Sequence, residues 1–220
     1  MNKRFVFAVV VAAASAVALA QAPPTTAPAP SESPRRPEAR ARAPRETVAA
    51  ALDGRKVSIE YGRPALDGRT IDTLLSKLSP DRIWRAGVDQ VTTLTTEGDL
   101  MVGDTRVAAG KYSLYVYAPE TGPYALVLNK DLGVPLKSIF AQASPEMANE
   151  PWPRLGGTYG QVKDKEVARV TMTSLTPREP MERFLISLEP AKDGSSTITV
   201  TWDGRAWSVP IRSATKPGSR

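Results

Sequence analysis

Between Tyr61 and Asp89 the chain sets Arg63, Arg69 and Arg85 among Tyr61, Trp84 and Asp89, in a stretch broken by Gly62, Pro64, Gly68 and Gly87. Arginine carries a rigid fork of donors that matches a carboxylate or phosphate, and it stacks on aromatic faces. Loops of this composition on a rigid scaffold are where binding sites are commonly built. Two readings of the arginines stand. One is a convergent trio that holds an anionic or sugar-like ligand with Tyr61, Trp84 and Asp89. The other is a set of separate pins, each paired with one of Glu60, Asp67, Asp72, Asp81 or Asp89 to fix an irregular loop.

The sequence contains no Cys and no His. That excludes a Ser-His-Asp triad, a cysteine nucleophile and a zinc site built on His or Cys. Carboxylates remain as the acid–base pair, and Glu60 with Asp89 is the nearest combination. A glycosidase needs two carboxyls at a set separation across a cleft. Glu60 alternates with Val57, Ile59 and Tyr61, which turns it outward, and no catalytic residue is assigned. No calcium-loop run of acids and no phosphate-binding glycine loop ahead of a helix is present, so neither metal nor cofactor is expected.

These residues must be positioned by a fold that begins well inside the chain. Lys3 and Arg4 precede sixteen uncharged, apolar-biased residues from Phe5 to Ala20, and Ala18-Leu19-Ala20 supplies the small residues a signal peptidase requires. Cleavage is expected after Ala20, giving a periplasmic or secreted protein with no stable membrane insertion. Without Cys, a thioether lipid anchor is excluded. Residues 21–45 are rich in Pro, Ala and Arg and read as a disordered linker. Residues 1–45 hold seven Lys/Arg against two Asp/Glu, whereas the remaining 175 hold twenty-two against twenty-one. The basic balance therefore belongs to the leader and linker, which argues against nucleic acid as a partner.

From residue 46 the pattern is β. Asp53-Gly54 suits a tight turn with positive φ at both residues, and around it Val48 faces Ile59 and Ala50 faces Val57. Asp203-Gly204 does the same for Val200 with Trp207 and Ile198 with Val209, and Gly103-Asp104 suits a third turn. Further strands are expected over 90–96, 111–117, 124–129, 166–173 and 182–188, with two helical turns over 72–78. Nine or ten short strands with one or two short helices predict an all-β fold, a single antiparallel β-sandwich of jelly-roll-like kind over 46–213, with a flexible tail at 214–220. Tyr112, Tyr115, Tyr117 and Tyr124 crowd two adjacent strands, read either as a sugar-stacking face or as cross-strand and core filling. Trp202 and Trp207 read as core. The connection over 129–163, rich in Pro and Gly, is either a lid over a pocket or a passive insertion.

Taken in order, Tyr61-Gly62-Arg63-Pro64, Gly68-Arg69, Trp84-Arg85-Ala86-Gly87, Thr92–Thr96, Ala109–Tyr115, Asn129-Lys130, Arg169–Leu175 and Phe184–Pro190 resemble the bacterial DUF2911 family over about Pro44 to Ile211. The resemblance implies an exported or envelope-associated domain and no particular reaction. The chain departs from the pattern at Gly87-Val88-Asp89, where the family has Gly-Ala-Asn, and in a longer connection over 140–157.

The expected function is a non-catalytic binding or structural module of the bacterial envelope, taking an unknown small-molecule or envelope ligand through Tyr61, Arg63, Arg69, Trp84, Arg85 and Asp89. The alternative is a carboxylate-dependent hydrolase acting on an envelope glycan or ester.

Overall fold

The structure, a computed structural model, describes residues 42–154 and 157–214. The expected signal peptide, the linker up to residue 41 and the tail beyond 214 lie outside the described residues. Fifteen strands are formed: β1 (Arg45–Leu52), β2 (Arg55–Gly62), β3 (Ile83–Trp84), β4 (Thr93–Thr96), β5 (Leu100–Val102), β6 (Thr105–Val107), β7 (Gly110–Tyr117), β8 (Ala125–Asn129), β9 (Val134–Pro135), β10 (Pro151–Trp152), β11 (Glu166–Thr171), β12 (Thr173–Leu175), β13 (Met181–Pro190), β14 (Ser196–Asp203) and β15 (Arg205–Ser213). One sheet runs β1-β2-β4-β7-β8-β11, with the short β3 also on β7. The other runs β13-β14-β15-β5-β6, with β12 also on β15. Every pairing is antiparallel.

The hairpins form in the register that turn and alternation require. Asp53 and Gly54 take φ of 49° and 75°, and Val48 stands opposite Ile59 and Ala50 opposite Val57. Val200 pairs with Trp207 and Ile198 with Val209 across a turn in which Asp203 has φ 55°. Gly103, at φ 53°, turns β5 into β6. The helical segment is shorter than expected: α1 covers Ile71–Leu75, capped by the Thr70 hydroxyl, which accepts from the Thr73 N–H at 3.2 Å. Beyond it the Lys77 and Leu78 amides reach back only three residues, to Leu74 and Leu75, so the turn tightens before Pro80.

Between the sheets lies a continuous apolar core. Val57, Ile59, Leu94, Leu114, Val116, Leu126 and Leu128 on one side meet Phe184, Ile186, Ile198, Val200, Trp207, Val209 and Ile211 on the other. Each such side chain contributes about 1.5–3 kcal/mol when fully buried, which is how the domain holds without disulfides. The opposite, outer face of the first sheet is also covered at its centre. There Ile83, Tyr115 and Val127 pack against Tyr159 and Val162 of the connection between β8 and β11. That connection is ordered by the β9–β10 pair, a 3₁₀ turn at Leu136–Ser138 and a 3₁₀ stretch at Tyr159–Lys165. Buried on both faces, β8 reads Ala-Leu-Val-Leu-Asn without alternation.

Candidate functional site

The residues of the Tyr61–Asp89 segment separate into two environments. Tyr61 and Trp84 belong to the core. Tyr61 is fully buried and its hydroxyl donates to the Ile186 carbonyl at 3.1 Å. The Trp84 ring stacks on Trp202 at 5.9 Å and meets Phe184 and Trp207 edge-on at 5.3 and 6.3 Å. Arg63 donates from Nε to the Phe184 carbonyl at 3.1 Å and from Nη1 to Glu46 at 2.7 Å. Because the Phe184 amide in turn donates to the Pro64 carbonyl, Arg63 locks the loop after β2 against β13. Arg69 closes its own loop, donating to the Leu66 and Ala65 carbonyls at 2.7 and 3.1 Å, with Asp67 at 3.7 Å. The first half of the segment thus joins the sheets at one end of the sandwich.

Arg85 and Asp89 stand apart from this arrangement. Ile83 and Trp84 pair with Tyr117 and Val116. Trp84 and Ala86, on either side of Arg85, are both buried in the core, which turns Arg85 towards the outer face. Arg85 is half-buried and makes no hydrogen bond or ion pair among the described residues. Burial lowers its pKa, opposed by the charge of Asp89. Asp89 sits at φ 60° with Oδ2 3.7 Å from Arg42 Nε. Arg42 in turn makes a two-pronged pair with Glu150, both bonds 2.9 Å.

On this outer face, strand register builds a row of polar residues across all six strands: Thr47, Glu60, Thr93, Ser113, Asn129 and Glu166 stand in successive cross-strand pairs. Most of the row is engaged. Asn129 donates to the Val162 carbonyl at 2.7 Å and accepts from the Asp131 amide at 2.8 Å, fastening the connection to the sheet. Glu166 accepts from the Tyr159 hydroxyl at 2.9 Å and from Arg169, whose guanidinium lies 4.8 Å from the Tyr117 ring centre. Asp131 is held by the Gly133 amide, Arg154 and Lys165. Glu60 takes Arg45 Nε at 2.5 Å, and Arg45 Nη2 donates to the Val91 carbonyl at 3.0 Å.

Besides Trp152 Nε1 next to Glu150, two donor groups in this neighbourhood are buried without a partner among the described residues. One is Nη1 of Arg45. The other is the hydroxyl of Tyr115, a residue only 1% exposed. The Ser113 hydroxyl and the Arg154 amide lie beside that phenol, yet neither closes a hydrogen bond of acceptable geometry. Burial pushes the Tyr115 pKa up to about 12. A buried donor without an acceptor is uncommon in a folded protein and asks for an explanation. Beside these stands Arg85, a cation that feels the charge of Asp89 but makes no ion pair among the described residues. The sequence marked Arg85 by its type and Tyr115 only as one of four crowded tyrosines. Arg45 fell at the end of the expected linker, where alternation gives no orientation, but is the first residue of β1.

The chemistry available is recognition by donors. Glu60 is paired with Arg45, Asp89 faces Arg42 and Arg85, and Asp131 is ringed by cations, so no two carboxyls in this region form an unencumbered acid–base pair. Two hollows lie elsewhere. An open groove is lined by Ser76, Leu78, Pro80, Arg82, Tyr117 and Glu120, and a narrow crevice by Leu52, Arg55, Thr96 and Asp99. None of Tyr61, Arg63, Arg69, Trp84, Arg85 and Asp89 lines either one.

The ordered signature agrees with a comparison against known families. The chain belongs to the DUF2911 family, described as a protein of unknown function, whose family model matches residues 43–211. No curated protein and no solved structure matches it. Among the described residues, no helix is long and apolar enough to cross a membrane.

Proposed function

We propose that this domain is a non-catalytic binding module of the bacterial envelope, exported by its N-terminal leader, with its ligand site on the outer face around Arg85. The observation that carries this reading is Arg85 itself, half-buried and without a hydrogen bond or ion pair among the described residues. A desolvated cation left unpaired costs stability, and a ligand that supplies the counter-charge recovers it. The full engagement of the neighbouring carboxylates supports binding over hydrolysis. The carbonyl contacts of Arg63 and Arg69 favour a structural role for that half of the signature.

A thermal-shift screen of the chain against envelope sugars, peptidoglycan fragments, organic acids and phosphates tests the reading. A ligand at 100 times its dissociation constant adds about 2.7 kcal/mol of stability. A hit whose shift disappears in Arg85→Ala supports the assignment. A screen with no hit, or a hit indifferent to Arg85, refutes it. Fractionation of expressing cells tests export, and retention in the cytoplasm with the leader intact would remove that part of the reading.

A further inference from the structure

We propose that the open groove between the turn after α1 and the loop after β7 is a second binding site, independent of Arg85, and that it takes a neutral saccharide unit. Its volume of about 570 Å³ lies within the roughly 300–1,000 Å³ of ligand pockets. Arg82 lines it from the first segment, Tyr117 and Glu120 from the second. The two segments are tied together at Arg82 and Ala118. The Ala118 amide donates to the Arg82 carbonyl, and Arg82 Nε donates to the Ala118 carbonyl, both at 2.9 Å. Arg82 holds φ at 55°. The other non-glycine residues at positive φ among the described residues are four aspartates and one alanine, so Arg82 is the one long side chain kept in that conformation. Such an outlier points to a use for the side chain. The Arg82 side chain is 15% exposed, and beyond Nε it makes no hydrogen bond among the described residues. Its ion-pair partner Glu120 stands 3.8 Å away and is 82% exposed. A pair so loose and so open to water contributes little, and a ligand that enters between the two groups gives up little.

The lining selects the class of ligand. Arg82 and Glu120 are its charged residues, and their charges cancel. Arg169, over the Tyr117 ring, is bound by both oxygens of Glu166. Asp81 does not line the groove and holds one oxygen on the Ile83 amide at 3.3 Å. A carboxylate or phosphate would have to displace Glu120 from Arg82, and an amine would have to displace Arg82 from Glu120. Adjacent hydroxyls displace neither. Each hydroxyl donates and accepts, so one can accept from Arg82 while its neighbour donates to Glu120, both through charge-assisted bonds. A trans peptide group also donates and accepts, but in opposite directions, which suits two groups 3.8 Å apart less well. The Ser76 hydroxyl, which donates to the Thr73 carbonyl at 3.0 Å, can still accept. Leu78, Pro80 and Pro119 supply apolar surface for the C–H faces of a sugar ring.

The test follows backbone amide signals of the isotopically labelled whole chain by nuclear magnetic resonance during titration. The probes are maltotriose and chitotriose as neutral trisaccharides, trigalacturonate and triglucosamine as charged ones, and acetyl-trialanine-amide as a neutral peptide. At least one neutral trisaccharide is expected to move the amides of Ser76, Glu120 and Thr121 and to bind more tightly than either charged one. Glu120→Ala removes an exposed side chain, so the melting temperature should stay level while sugar affinity falls about tenfold. Arg82→Gly accepts φ 55° without strain and should abolish binding. Arg85→Gln should leave the sugar affinity unchanged, which separates this site from the one proposed above. Groove amides that stay still with both neutral trisaccharides overturn the site. A charged trisaccharide that binds more tightly overturns the neutral class, and a peptide that binds more tightly overturns the saccharide. Sugar affinity unchanged in Glu120→Ala overturns the assigned contacts, and sugar shifts lost in Arg85→Gln overturn the independence of the groove.

Discussion

A Cβ placed on Gly62 would stand 2.4 Å from the carbonyl oxygen of Val88. The end of β2 and the loop after β3 thus pass in backbone contact, and only glycine permits it. Gly62→Ala is expected to cost about 1–3 kcal/mol, towards the upper end because the obstacle is main chain rather than a movable side chain. Urea unfolding of the purified variant measures this; a loss under 0.5 kcal/mol on that scale would mean the loop yields freely.

Arg63 and Arg85 should respond in opposite ways. Arg63→Met leaves the Phe184 carbonyl and Glu46 without their donor, so chemical denaturation should register a loss of about 1–3 kcal/mol with ligand affinity intact. Arg85→Met removes a cation that has no such bonds. It should leave stability level or higher and abolish ligand-induced stabilisation.

Trp84 is 7% exposed and sits among Trp202, Trp207 and Phe184. Trp84→Ala should cost about 3–5 kcal/mol and sharply reduce the near-ultraviolet circular dichroism that coupled indoles produce. An unchanged aromatic spectrum would contradict the packing described.

Glu150 should contribute to acid sensitivity. Its hydrogen bonds to Arg42 hold the carboxyl below its ordinary 4.5. A group with a depressed folded pKa gives stability that is complete above the unfolded value and fades as pH falls through the folded one. The melting temperature should therefore decline from about pH 4.5 downward, and Glu150→Gln should flatten that part of the profile. An identical decline in wild type and variant would show that the pair contributes nothing.

At the alkaline end the sign reverses. Burial raises the Tyr115 pKa from 10.0 to about 12, so its contribution is complete below pH 10 and is lost as pH rises towards 12. Tyr115→Phe should shrink the alkaline loss by an amount on the order of 2 kcal/mol, leaving the share of the other buried tyrosines. Melting curves between pH 9 and 12 decide the matter.

What could be read from the sequence was local. At Asp53-Gly54 the turn chemistry and the alternation of Val48, Ala50, Val57 and Ile59 demand one register, and Asp203-Gly204 repeats that agreement. Glu60 was legible as outward-facing from its place between Ile59 and Tyr61. The partners of the arginines were not legible, because Arg63 bonds a carbonyl 121 residues away and carbonyls leave no trace in side-chain types. Nor was the cover over the outer face. In β7 tyrosines fall on both sides of the strand, and β8 has no alternation, so neither strand declares a solvent side. Asn129, closing an apolar run, was the one sign that a polar group is fastened there across 33 residues to Val162. The motif residues divide accordingly: those that hold the sheets together are explained by packing, and Arg85 is what packing leaves over.

The double burial of β8 also bears on how the chain survives before it is folded. Ala125–Leu128 leaves the ribosome, and any export channel, ahead of the residues that will cover it on both sides. Until Tyr159, Val162 and β11 arrive, an uncharged, strand-prone stretch with no proline is available to a second chain. Its flanks carry the safeguards: Pro123 on one side and Lys130-Asp131 on the other interrupt any longer self-pairing segment. Charge removal at Lys130 and Asp131 would therefore be felt first as inclusion bodies, at a stage when the finished sandwich does not yet exist.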